Sequence, residues 1–306
     1  MATTTNITTT YAGEKAMPYL QAALLEGNTI RNGGVTVRPN IKYKQVLKKV
    51  AMSDLIKDGT CDFTPTATID VTENVLEPLE FQVNYTLCKK DFRSDWDAIS
   101  MGLSAHDNLP PSFADFIIGK TVAEVASANE VIVWQGDSDN EGEFDGFEKI
   151  LGDDADVIDI ASTSIDSSNV QAELRKILNA IPQEIYGKED LKIYIATDIH
   201  RAYVSSLALA GDSMGYLNQG ANQGFGGLQF EGINLFVANG LSAGKAVACQ
   251  TSNLNFGTGL LNDTNEVKVL DMASLDGSQN VRFIMRYTAA VNIQYGAEIV
   301  YYSPSV

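Results

Sequence analysis

The chain has 306 residues, a mass of 33.1 kDa and a formal net charge of −17, with 44% hydrophobic and 20% charged residues. That composition excludes wholesale disorder and fibrous repeats, and no run approaches the roughly 18 consecutive apolar residues of a membrane span. A body this acidic repels phosphate, which excludes a protein that grips nucleic acid through a broadly basic surface.

The charge is unevenly spread. Residues 1–60 carry eight bases and four acids, net +4, so the remainder carries 14 bases and 35 acids, net −21. Arg38, Lys42, Lys44, Lys48 and Lys49 form a basic stretch without one acid, which reads either as a solvated face or as a contact to an acidic surface such as another copy of the chain. The opening residues, MATTTNITTT, have neither the basic nor the apolar region of a secretory signal. Cys61, Cys88 and Cys249 are too few and scattered for a disulfide framework, so a reducing compartment is expected.

In chain order, the threonine-rich first ten residues read as an extended or mobile arm, and short helices are expected over 17–25 and 45–56. The period then changes to two: Leu79, Phe81, Val83, Tyr85 and Leu87 alternate with polar residues. Residues 66–71 are the expected partner strand, with a turn at Glu73–Asn74, giving a long projecting hairpin over 60–88 punctuated by Pro65 and Pro78. Ser112 caps a helix expected from Phe113 to Trp134, stopped by Gly136. Its two apolar stripes, one through Phe113, Phe116 and Ile117 and one through Ile118, Val122, Val125 and Ala126, predict packing on more than one side. Beyond an acidic loop, helices are expected over 168–180 and 198–209 and strands over 191–196, 233–238, 245–250, 266–270, 281–288 and 290–302. Seven of the chain's 25 glycines fall within 211–232, which reads as loop.

The motifs that suggest chemistry are weak. Gly240-Leu241-Ser242-Ala243-Gly244 spells the G-x-S-x-G of a hydrolase nucleophile, but both histidines, His106 and His200, precede Ser242, whereas that fold places the histidine after it. The same stretch with Lys245 and Ala246 fails as a phosphate loop, because Ala246 stands where Ser or Thr must hold the metal. His200 lies two residues past Asp198 in the first turn of a helix, where capping explains the pair. Asp137 to Glu148 aligns with a calcium-binding EF-hand loop, with oxygen ligands at positions 1, 3, 5, 9 and 12 and Gly142 at position 6; an acidic surface turn is the competing reading. No zinc spacing occurs. The sequence yields no catalytic, cofactor-binding or metal-ligating residue, and an enzyme is not expected.

The order of elements carries more than any motif. A basic helix, a projecting hairpin, a long spine helix, a glycine-bounded turn, an α/β domain and a closing β ribbon together resemble the major capsid proteins of tailed phages, the Hong Kong 97 fold shared with encapsulin shells. The resemblance rests on Ala128-Asn-Glu130-Val-Ile-Val-Trp134-Gln-Gly136-Asp137 followed by Gly142-Glu-Phe-Asp-Gly146-Phe147, on Asp198-Ile-His-Arg-Ala-Tyr203 after a strand, and on Phe230-Glu-Gly232-Ile-Asn-Leu-Phe-Val237. It spans about residues 40–306.

It implies an α+β capsid fold with an N-terminal arm at 1–38 and an extended β-hairpin loop at 58–88. A peripheral domain is implied at 89–150 and 263–290 with its spine helix at 112–135, and an axial domain at 151–262 and 291–306. It further implies pentamers and hexamers in an icosahedral virion shell assembled in the host cytoplasm. Scaffold, portal and decoration proteins would be partners, DNA would be contacted without regard to sequence, and no membrane would be involved. An encapsulin-type compartment and a hydrolase acting through Ser242 are the alternatives. No lysine lies between Lys57 and Lys89, so the lysine crosslink that some members form from the extended loop is not expected.

Overall fold

In the computed structural model, residues 8–12, 27–53, 55–59, 61, 65, 68–88, 111–209, 228–259 and 266–304 are described. The expected helix at 17–25, the glycine-rich loop through 227 and His106 lie outside them. The chain begins with β1 (Thr8–Ala12), α1 (Asn28–Arg31), β2 (Thr36–Arg38), β3 (Gln45–Ser53), β4 (Thr68–Leu76) and β5 (Leu79–Cys88). It continues through α2 (Pro111–Gln135), α3 (Phe147–Asp153), β6 (Ile158–Ser162), α4 (Val170–Ala180), β7 (Leu191–Ile195) and α5 (Thr197–Leu209). It closes with β8 (Gln229–Phe230), β9 (Ile233–Val237), β10 (Ala246–Gln250), β11 (Leu254–Thr258), β12 (Glu266–Asp271), β13 (Asn280–Ile293) and β14 (Val300–Pro304).

Two six-stranded sheets organise the molecule. The first is built on β13, whose 14 residues are long enough to take two strands end to end along one edge: β11 over Ala289–Ile293 and β12 over Val281–Arg286. β5 takes the other edge over ten residues, and β2 and β1 flank β11 and β12. The second sheet runs β6-β14-β10-β7-β9-β8 and is buried on both faces. Strand alternation sends Tyr194, Phe236, Val247, Cys249 and Tyr301 into one core, and Ile193, Ile195, Leu235, Val237, Ala248 and Tyr302 into another under α4 and α5. The first of these cores is continuous with the β13 sheet and with α2, through Ile118, Val122, Val125, Val133 and Trp134. Each fully buried apolar side chain of this kind contributes about 1.5–3 kcal/mol, so the shared core locks α2 between the sheets.

Gly136 ends α2 because no other residue fits: a Cβ there would stand 2.3 Å from the Phe144 carbonyl oxygen. The chain then loops back, and Gly146 N donates to Gly136 O at 2.8 Å.

Three expectations are corrected. Residues 45–53 form a strand, β3, rather than part of a helix; Val46, Val50 and Met52 satisfy both periods over so short a run, and β4 supplies the ladder that decides between them. The hairpin over 60–88 is not one: β4 pairs β3, β5 pairs β13, and Glu73–Asn74 lies inside β4 rather than at a turn. Only Glu77 and Pro78 separate β4 from β5, and a pair without Gly or Asn cannot adopt the primed turns that fold a strand back on itself. Finally, β13 is one unbroken strand over Asn280–Ile293, where separate strands over 281–288 and 290–302 were expected, and β11 pairs with its second half. The strand ends after Ile293, where Asn253 Oδ1 accepts the backbone N–H groups of Gln294 and Tyr295.

Candidate interaction surface

The β3–β4 ribbon is the most unusual surface of the described chain. On one face the cross-strand pairs are Val46–Val75, Lys48–Glu73, Val50–Val71 and Met52–Ile69. All six apolar side chains of that face are 43–57% exposed, and Leu55 and Ile56 beyond the end of β3 are exposed further. On the opposite face, at the root of the ribbon, Leu47 and Leu76 are buried against Ile41 and Ala290. Side chains bracket that root to β13: Asn292 Nδ2 donates to Val75 O at 2.7 Å, and Asn74 Nδ2 to Ile293 O at 3.0 Å. Polar asparagine at 74, which signals a turn in the sequence, serves here as a bracket. The ribbon is thus hydrogen-bonded to β13 at its base and presents an exposed apolar face among the described residues, an arrangement characteristic of a contact site.

The basic stretch runs along this root and is less free of acids than the sequence implies. β4 and the residue after it bring acids across, Lys44 to Glu77 at 2.6 Å and Lys48 to Glu73 at 3.7 Å, while Arg38 Nε donates to Asn255 Oδ1.

The N-terminal segment is stitched to the core by a clasp that sequence reasoning missed. Glu130 of α2 is buried and accepts from Thr29 N at 2.9 Å and from Thr29 Oγ1 at 2.5 Å; Trp134 Nε1 in turn donates to Thr29 Oγ1 at 2.8 Å. Burial pushes the Glu130 carboxyl up, against the hydrogen bonds from Thr29 and Gly240 that favour its charged form. Tyr194 OH donates to Gly34 O, and Asn28 Nδ2 to Val237 O, extending the stitch to the second sheet. A glutamate one turn before a tryptophan on an apolar helix was the only hint available in the sequence.

The sequence motifs are dispersed by the structure. Ser242 is tied to a carboxylate: its Oγ donates to Glu148 Oε2 at 2.8 Å and its N to Glu148 Oε1 at 2.6 Å, and Lys245 Nζ completes the tie at 2.7 Å. Glu148, which takes the twelfth position in the EF-hand alignment, is therefore committed to Ser242 and Lys245. Within that turn Lys149 Nζ lies 2.5 Å from Asp137 and 2.7 Å from Asp145, where a cation would sit. The lysine holds both carboxyls below their usual range and is itself raised by them, although burial at Asp145 works against the shift. Among the described residues no cluster of His, Cys, Asp and Glu converges as metal ligands do. The His200 ring, half-buried in α5, is pushed down by desolvation and by Arg201. Cys249 is fully buried, and burial raises its thiol so far that it is an inert core group.

No protein-family model and no curated protein matches the sequence. Solved structures do match in fold. The chain is similar to one from the satellite phage P4 procapsid that includes the size determination (Sid) protein, at TM-score 0.54 and 11% identity over 94% of this chain and 97% of that one. It is similar to a chain of the capsid of Myoviridae phage XM1 (TM-score 0.55, 9% identity, 90% and 91% covered) and to the virus-like particle from Pyrococcus furiosus (0.52, 11%, 95% and 98%). The fold is the α+β Hong Kong 97-type capsid fold.

Proposed function

Starting from that fold, we propose that the chain is a structural subunit, the major capsid protein of a tailed phage, which self-assembles into an icosahedral shell enclosing double-stranded DNA. The observation that carries this reading is the ribbon's six-residue apolar face, hydrogen-bonded to β13 at its base and exposed among the chain's own described residues. In this reading residues 45–76 supply the extended loop, α2 with the β13 sheet forms the peripheral domain, and the second sheet with α4 and α5 forms the axial domain. Its localisation is the virion, with assembly in the host cytoplasm; scaffold and portal proteins are further partners, and DNA contacts inside so acidic a shell are independent of base sequence.

Sedimentation velocity of the purified chain, with negative-stain imaging of any fast fraction, tests the proposal. Rings of five or six subunits, or closed shells, are the expected outcome, and a monomer that stays monomeric with and without a coexpressed scaffold overturns it. A compartment shell that holds an enzyme instead of a genome is the second reading, favoured by the likeness to the virus-like particle. Nuclease-protected DNA in particles from infected cells separates the two.

A further inference from the structure

At the foot of the ribbon lies an open cavity of about 460 Å³ that the chain does not fill itself. Its lining includes the apolar Val75, Phe144 and Ile150 and the acidic Glu77, Asp153 and Asp154. Immediately beside it stands Lys42-Tyr43-Lys44. Lys44 pairs with the lining residue Glu77 at 2.6 Å, yet the Tyr43 side chain projects into solvent, 84% exposed. A tyrosine this exposed, flanked by two lysines, is the kind of amphipathic anchor that dominates protein contacts. The cavity next to it has the complementary chemistry, with apolar and acidic side chains in one lining.

Tyr43 does not occupy the cavity of its own chain. Because the anchor and its complement sit side by side on one surface, two copies related by a two-fold axis engage both at once, each tyrosine entering the other's cavity. We infer that Tyr43 is the anchor of a two-fold contact between copies, seated in the partner's cavity at the ribbon root, with Lys42 facing the partner's acidic lining. This rests on the reading of the chain as a shell subunit, and it specifies a contact that shares only Val75 with the ribbon's apolar face. Asp145, Glu77 and Asp154, which also line the cavity, are engaged within their own chain by Lys149, Lys44 and the Asp156 N–H, which leaves Asp153 as the acid the incoming Lys42 meets.

The test is a photocrosslink. Tyr43 is replaced by a benzophenone amino acid, particles are assembled from a mixture of 14N and 15N chains, and crosslinked peptides are mapped by mass spectrometry. Mixed-isotope crosslinks from position 43 to the segments around Val75, Ile150 or Val291 are expected. Tyr43→Ala should lower particle yield roughly tenfold while the melting temperature of the unassembled chain stays unchanged, since the side chain touches little within its own subunit. Lys42→Glu should impair assembly, and the added change Asp153→Lys should restore it. Crosslinks from position 43 that map elsewhere in well-formed particles, or exclusively within one chain, overturn the inference and leave the shell reading standing. Unmodified chains that never form particles overturn the shell reading, and this inference falls with it.

Discussion

Thr29 carries more than its size suggests, because one hydroxyl donates to Glu130 while accepting from Trp134. Thr29→Val keeps the shape and removes both bonds, leaving two buried polar groups short of a partner; urea unfolding should show a loss of about 2 kcal/mol with an unchanged m-value. A change under half that size would mean the clasp is already open to water. Glu130 also sets a pH dependence. Its folded-state value lies above the unfolded one because of burial, so its contribution is fully present below the unfolded value and is lost as pH rises through the folded one. Melting temperatures of the wild type relative to Glu130→Gln should therefore improve as pH falls from 7 into the carboxylate range. Parallel pH curves for the two proteins would refute the clasp as a source of linkage. Asp137 runs the other way: Lys149 holds it down, so its share is present above its unfolded value and fades as pH falls through the folded one.

The β3–β4 ribbon separates stability from assembly because its two faces do different things. Leu76→Ala, at the buried root against Ile41 and Ala290, should destabilise the subunit by about 2–4 kcal/mol. Val50→Lys on the exposed face should change subunit stability by less than about 0.5 kcal/mol and yet abolish fast-sedimenting particles. Equal effects of the two changes on melting temperature would show that the outer face is covered within the chain. That ribbon was also where sequence reading went furthest astray. The alternation of β5 was legible, as were α2, α4, α5, β7, β9 and β10, since each has a long period or a clear stop. What the pattern of β5 did not contain was its partner: β13 lies some 200 residues away, and local alternation is the same whichever strand answers it.

Over the whole chain, residues 1–60 carry net +4 and the remainder net −21, and on the proposed shell reading these opposite charges make one copy's N-terminal part complementary to the next copy's body. Assembly should therefore weaken with salt, as contacts between exposed charges are screened beyond a Debye length of about 3 Å at 1 M. Light scattering that develops equally at about 0.05 M and about 1 M salt would show that apolar contacts alone drive association.

Composition, charge asymmetry and the order of elements were determined by the sequence itself, because burying period-2 and period-3.6 patterns leaves few arrangements for a chain of this order. Tertiary structure alone decided that β3 and not β5 pairs with β4, that β11 and β12 share one edge of β13, and that Glu148 serves Ser242 and Lys245 rather than a cation. Each of those outcomes is a competition among distant segments for the same hydrogen-bonding edge or the same charge. The winner is set by geometry that no local window of residues contains.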